Sequence, residues 1–351
     1  MRVEELDTPA LILDLDSFEE NLKRYQEYFD SHAISLRPHI KTHKCVAMAH
    51  MQLKQGAIGI TCQKVSEAEV MVAGGLDGDV LIPFNVIGRQ KLERLMALAS
   101  RARVTVAADS EYTVNGLSSA AIGHDASIGV IVELYQGRTG VPTPALAVEL
   151  GKIIDESPGL ELRGIMIMPA PPTVRPFLQE VISEFDKAGL PYPIVSGGST
   201  PSAFTAHEIP ELTEFRAGEY PVGGIKHLSL GTHSVDQCAG RILATVVSRP
   251  NGDRAVIDAG SKSLSAATAE FNGKTVLGYV VEYPDAIFSG ASEEHGQIDL
   301  TLCTKKPEIG EQVQIILAHP CPGFNEHDSI YALRDGRVEA IWSVDARGSI
   351  R

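Results

Sequence analysis

From residue 15 to about residue 237, short runs of β-branched and aliphatic residues alternate with longer segments that are polar on one face and apolar on the other. Eight apolar runs stand out, at 34–40, 57–63, 79–85, 103–109, 126–134, 160–168, 192–196 and 213–216. Helix-like stretches such as GRQKLERLMALASRA at 88–102 and the segment 143–157 separate them. Parallel strands need a crossover connection, usually a helix, so this alternation predicts repeated βα units about a parallel sheet. Eight units predict a closed (β/α)8 barrel of the TIM type, with an open doubly wound sheet as the alternative that spacing alone leaves standing.

After residue 238 the pattern changes. The stretches 241–248, 254–259, 276–283, 312–318 and 329–344 are strand-like, and Asn251-Gly252 and Asp335-Gly336 supply tight turns. This predicts a smaller, mainly antiparallel β domain. The run PALILDL at 9–15 is spare to the eight and is expected to add a strand to that second sheet. The expected organisation is therefore a barrel over 15–237 and a β domain over 238–351 that also takes in 1–14.

Composition narrows the function. A chain of 351 residues with 44% hydrophobic content can bury a large α/β core plus a second one. Its formal net charge of -14, with no long basic run, repels nucleic-acid phosphates and anionic lipid, so neither is an expected partner. The start, MRVEELDTPALILDLD, has only a five-residue apolar stretch between charges, too short for a signal peptide or a membrane span; a cytoplasmic protein is expected. Five cysteines, odd in number and scattered, fit a reducing compartment better than a disulfide framework.

Barrel enzymes keep their active sites at the C-terminal ends of the strands, so polar residues there carry the first candidates. Lys41 is expected to end strand one in Arg37-Pro38-His39-Ile40-Lys41, where strand alternation puts Arg37, His39 and Lys41 on one face. Alone it could be a lysine reaching solvent. Ser196-Gly197-Gly198-Ser199-Thr200 follows the seventh run, where this fold builds phosphate sites: glycines admit a phosphate to the backbone amides, and the hydroxyls add donors. Glycine in such a turn can also serve sterics only. A strand-one lysine with a strand-seven phosphate cup suits a phosphorylated aldehyde held covalently at its other end. Later, His319 and Cys321 stand two apart in His-Pro-Cys-Pro, where the prolines are expected to exclude helix and let both side chains face one way. Imidazole with thiolate favours zinc or another transition ion, although a packed cysteine beside a hydrogen-bonded histidine would look the same.

The segments RPHIKTHK, GITCQKVSEAEVMVAGG, GRTGV, VSGGST, RAGEY and HPCP together resemble the D-serine dehydratase and D-threonine aldolase family, within the alanine-racemase-like fold of pyridoxal-phosphate enzymes. The resemblance runs nearly end to end. It implies a homodimeric lyase acting on a small D-β-hydroxy-α-amino acid, with pyridoxal 5'-phosphate carried by Lys41 and a divalent metal, zinc or else manganese, on His319 and Cys321. It also implies that Arg138 donates to the cofactor's phenolic oxygen, that Ser196, Gly197, Gly198 and Ser199 form the phosphate loop, and that Arg216 meets the pyridine nitrogen. On the residues alone, Arg138 could be a surface arginine and Arg216 an ion-pair partner of Glu214 or Glu219. Within the resemblance, His-x-Cys is the dehydratase form of the metal motif, whereas the aldolases typically offer His and Asp. The sixth run ends Met166-Ile167-Met168-Pro169-Ala170-Pro171-Pro172, where the long aldolases carry a tyrosine and a histidine-rich segment. Both features favour D-serine or D-threo-3-hydroxyaspartate dehydration over retro-aldol cleavage. His43, His233, His295 and His327 are read as local hydrogen-bonding residues. The alternatives are an amino-acid racemase on the same fold, which needs no metal, and a non-catalytic pyridoxal-phosphate-binding protein, a type that lacks the β domain.

Overall fold

In the computed structural model, which describes residues 1–351, a strand overlaps each of the eight expected runs. They are Ser35–Leu36 (β1), Ile60–Thr61 (β2), Asp79–Ile82 (β3), Arg103–Ala108 (β4), Ile128–Leu134 (β5), Leu160–Ile167 (β6), Ile194–Gly198 (β7) and Glu214–Arg216 (β8). All neighbours pair in parallel, β2 to β8 in chain order and then β8 to β1. A parallel bridge between His39 and Thr61 joins the continuation of β1 to β2 and closes the ring. The sheet is thus the (β/α)8 barrel. β1 is short because Pro38 offers no amide to a ladder. Beyond it, the His39 amide still reaches Ala217 O at 2.8 Å, and Pro38 O accepts from the Thr61 amide at 2.8 Å.

Strands buried on both faces read as unbroken apolar runs, and β5 is buried along its whole length. Leu81, Ala107, Ile131 and Met166, one each from β3 to β6, form a buried layer. The helices between strands bury one stripe each; in Arg89–Ala99 the buried residues are Leu95, Met96 and Leu98. In β6 the register against β5 shifts between Leu162 and Gly164, a bulge. Gly164 has φ +122°, and a Cβ there would lie 2.0 Å from Ile194 O of β7.

The chain divides into two compact units, one comprising 25–41, 48–218 and 348–351, the other 1–24, 42–47 and 219–347. The first holds the barrel. The second is built on a nine-stranded sheet in which the N-terminal strand Ala10–Asp14 lies between Gly240–Asn251, antiparallel, and Ser329–Arg334, parallel. Leu6, Ala10, Ile12, Leu243 and Leu333 are buried together there. Ser329–Arg334 and Arg337–Ser343 form a hairpin across Asp335-Gly336, whose φ of 50° and 69° are those a two-residue I′ turn demands. No helix is long and apolar enough to cross a membrane.

Candidate active site

Lys41 sits in a single 3-10 turn, Ile40–Thr42, beyond the end of β1 rather than as the strand's last residue. The alternation expected for Arg37, His39 and Lys41 therefore breaks after His39. Arg37 is buried and spent on structure: its Nε donates to Glu214 at 2.9 Å and its Nη1 to Asp79 at 2.9 Å. His39 lies 2.8 Å through Nε2 from Gln63 Oε1, and its Nδ1 is placed to accept the Lys41 amide at 3.5 Å. Burial holds the His39 imidazolium well below its usual range, and the charges of Lys41 and Arg216 act in the same direction. A neutral imidazole is consistent with Nε2 as the donor to Gln63.

Arg216, at the end of β8, is buried with its Nη2 donating to Ile167 O at 3.1 Å and its Nη1 4.0 Å from Met166 Sδ. Burial pushes its pKa down to about 10, against the pull of Glu214 and Glu133. The direct ion pair with Glu214 weighed above is not what forms, because that carboxylate receives Arg37 on one oxygen and Ser196 Oγ, at 2.7 Å, on the other. Glu219 is engaged elsewhere, as described below. A guanidinium with a carbonyl and a thioether for partners retains N–H groups for a neutral acceptor such as a ring nitrogen.

Burial raises the pKa of Glu133 on β5; Thr139 Oγ1, donating at 2.9 Å, and the Arg216 and Arg138 cations oppose the rise. Arg138 and Thr139, in the loop after β5, line a cavity of about 430 Å³ with Gln63, Phe84, Asn85 and Glu133. Gln63, which lines that cavity with Glu133 and Arg138, is also the partner of His39 beside Lys41.

At the end of β7, Ser196 is buried with its hydroxyl turned to Glu214, so phosphate contact from it would be through the backbone. Ser199 holds φ +105° and spends its amide on Arg216 O at 3.2 Å, leaving its hydroxyl. A Cβ on Gly197 would come within 3.1 Å of Leu212 and Phe215, and one on Gly198 within 3.3 Å of Arg216, so a side chain at either position would press its neighbours to shift. Ser196, Gly197 and Gly198 are the last residues of β7 rather than the loop after it, which starts at Ser199. With one lysine at the strand mouth, glycines at the end of strand seven and a buried arginine on strand eight, the residues fit a phosphorylated pyridine aldehyde.

In the other unit, His319 and Cys321 do come together, but not by the route expected. Pro320–Phe324 is a short helix with His319 as its N-cap, because proline is tolerated in a helix's first turn where amides lack partners anyway. The two side chains converge with a third residue, Glu219, and one potential ligand atom from each lies within 4.8 Å of the others. Glu219 Oε1 is 2.9 Å from His319 Nε2 and accepts from Cys321 Sγ at 3.5 Å, while Thr42 Oγ1, next in sequence to Lys41, lies 3.2 Å from the same sulfur. Glu219 Oε2 is 2.8 Å from Nε2 of the buried His227. Its carboxyl is held far below the usual carboxylate range, the hydrogen bonds and charges of His227 and His319 outweighing burial. Imidazole, thiol and carboxylate together suit zinc or a neighbouring transition ion, with room for a non-protein ligand. A cavity of about 400 Å³ bordered by Glu219, His227, His319 and Lys226 adjoins them.

In the sequence Glu219 stands out only as a partner for Arg216, and His227 does not stand out. The signal available for Glu219 was its place in RAGEY, three residues past the end of β8.

Two family models match the chain: the alanine racemase N-terminal domain over residues 13–225 and the putative serine dehydratase domain over residues 239–333. The D-threonine aldolase of an Arthrobacter species is 34% identical over 99% of this chain and 94% of its own length. A crystal structure of D-threonine aldolase from Filomicrobium marinum superposes with a TM-score of 0.91 at 33% identity, covering 99% of this chain and 98% of that one. A cysteine-to-alanine variant of D-threo-3-hydroxyaspartate dehydratase, described as its metal-free form, superposes with a TM-score of 0.85 at 25% identity and 98% coverage of each chain. The chain belongs to the D-serine dehydratase and D-threonine aldolase family of alanine-racemase-like proteins.

Proposed function

We propose that the chain is a lyase that uses pyridoxal 5'-phosphate and a divalent metal, zinc before manganese, to act on D-β-hydroxy-α-amino acids, with dehydration favoured over retro-aldol cleavage. The observation that carries the proposal is the convergence of His319, Cys321 and Glu219 in a chain whose barrel also carries Lys41 just past β1 and the buried Arg216 at the end of β8. Bound to such residues, pyridoxal phosphate withdraws electrons from Cα of an amino acid and a metal ion polarises its β-hydroxyl.

In this reading Lys41 carries the cofactor, and its Nζ is the base for the Cα proton. Arg138 donates to the cofactor's phenolic oxygen. Ser196, Gly197, Gly198 and Ser199 face its phosphate, with Ser199 supplying a hydroxyl and Ser196 its backbone. Arg216 donates to the ring nitrogen; being a guanidinium it stays protonated there rather than transferring a proton. His39, neutral and fixed by Gln63, adds no competing charge beside Lys41. His319 and Cys321 hold the metal, and the soft sulfur donor is the reason for placing zinc first. The reading includes a homodimer in the cytoplasm, where the free cysteines stay reduced.

Favouring dehydration, the metal motif is His-x-Cys, and a dehydratase relative is known in a metal-free form as a cysteine variant. Favouring retro-aldol cleavage, the Arthrobacter and Filomicrobium relatives at 34% and 33% identity are D-threonine aldolases. Product analysis decides. Metal-replete protein is incubated with D-serine, D-threonine and D-threo-3-hydroxyaspartate, and a keto acid with ammonia is the expected product. Glycine with an aldehyde would assign the aldolase reaction instead. Racemisation with neither product would overturn the lyase reading in favour of a racemase.

A further inference from the structure

We infer that Glu219 is a third protein ligand of the metal and that buried His227 is the residue that positions it. The inference rests on the metal-dependent reading above and adds to it a site with three donors from the chain rather than two.

The geometry points beyond a hydrogen-bonding role. Zinc bonds of about 2.0–2.3 Å in a tetrahedron place neighbouring ligand atoms about 3.3–3.6 Å apart. Glu219 Oε1 stands 3.5 Å from Cys321 Sγ and 2.9 Å from His319 Nε2, and the three ligand atoms all lie within 4.8 Å of one another, a span that side-chain adjustment alone can bring to a common ion. The second carboxylate oxygen is not free to swing. It lies 2.8 Å from His227 Nε2, and that ring is fixed at its other nitrogen by Thr232 Oγ1 at 3.2 Å. His227 is fully buried, whereas the Glu219 side chain is 19% exposed and that of His319 48%, so the anchored end of the arrangement lies inward and the donor end outward. An inner imidazole that holds one carboxylate oxygen leaves the other aimed at the ion, the arrangement by which outer partners orient metal ligands. Three protein donors leave a fourth position open for water or a substrate oxygen, as catalytic zinc sites do.

The rival role for Glu219 is to orient His319 from outside the metal shell, and glutamine separates the two. An amide oxygen accepts an imidazole N–H but is a poor replacement for a carboxylate on zinc. Holoprotein stripped of metal is titrated with Zn²⁺ against a chromophoric chelator, and Co²⁺ binding is followed through its visible absorption. Glu219→Gln and Glu219→Ala should both lose Zn²⁺ affinity by more than about 100-fold, the upper end of what an orienting partner contributes, and both should alter the Co²⁺ spectrum. His227→Gln should lose about 10–100-fold while keeping the wild-type Co²⁺ spectrum in form. Retained affinity in Glu219→Gln alongside loss in Glu219→Ala would overturn ligation and leave only orientation. Retained affinity in both would remove Glu219 from the site. Should the variants fail to fold, infrared difference spectra of wild-type protein with and without Zn²⁺ answer the same question: a carboxylate band that moves on 13C-glutamate labelling is expected, and its absence overturns the inference. Wild-type protein that binds no metal at all would instead sink the metal-dependent reading on which the inference stands.

Discussion

Three lysines lie close in sequence to the barrel mouth, and their surroundings differ enough to choose among them. Lys44 is buried, holds φ +52° and donates through Nζ to Ala346 O at 3.3 Å. Lys64 places its ammonium 3.5 Å from the centre of the Phe84 ring, a cation–π contact. Lys41 is partly exposed on its turn just past β1, beside a neutral histidine. Borohydride reduction of the holoprotein, followed by peptide mapping, should therefore find the cofactor on Lys41. Label on Lys44 or Lys64, or no label, would end the assignment. The sequence made Lys41, His319 and Cys321 legible because each lies in a short local pattern. Glu219 and His227 were not legible, because what marks them is burial and mutual approach: a carboxylate in RAGEY and a histidine eight residues on have no local signature until the fold sets them 2.8 Å apart.

At the scale of elements, periodicity located all eight barrel strands, most plainly where a run is buried on both faces, as in β5. Strand ends were less legible. The first run was expected over 34–40, but Pro38 reduces it to Ser35–Leu36 and a bridge at His39. His-Pro-Cys-Pro was expected to exclude helix, yet it opens one, since the rule against proline applies to helix interiors and not to the first turn. In the second unit the hairpin Ala269–Phe271 with Lys274–Val276 went unseen because its strands are short and carry charged or exposed residues. The bulge in β6 gives a test of what holds the barrel together. Gly164 combines a φ that L-residues rarely adopt with a Cβ direction blocked by a backbone carbonyl of β7, which cannot yield as a side chain would. Gly164→Ala should destabilise the protein by about 3 kcal/mol or more, read as a lowered urea midpoint, or should prevent soluble expression. Gly137→Ala is the control, also at positive φ but with nothing near its Cβ direction, and should cost about 1 kcal/mol. Equal effects at the two sites would show that the contact with β7 contributes nothing.

For the whole molecule, the two sets of candidate residues are divided between the two compact units. Lys41, Arg138, Ser196, Gly197, Gly198, Ser199 and Arg216 belong to the unit that holds the barrel, and Glu219, His319 and Cys321 to the unit that holds the nine-stranded sheet. Neither set includes a residue of the other, so retention of the cofactor and retention of the metal should be separable. Hydroxide is a poor leaving group, and an alkoxide is costly to form away from water, so a Lewis acid at the β-oxygen should contribute several kcal/mol to either lyase reaction. Proton exchange at Cα, the step a racemase needs, does not call on it. Chelation of the metal, His319→Ala and Cys321→Ala should therefore each abolish lyase turnover, while the ultraviolet–visible absorbance of the lysine-bound cofactor survives. Adding Zn²⁺ back should restore turnover to the chelated wild-type protein and not to the variants. Full lyase activity in thoroughly metal-free protein would overturn the assignment of His319 and Cys321. Loss of the cofactor absorbance together with the metal would show instead that the two sites stand or fall as one, and that the division of labour between the units is wrong.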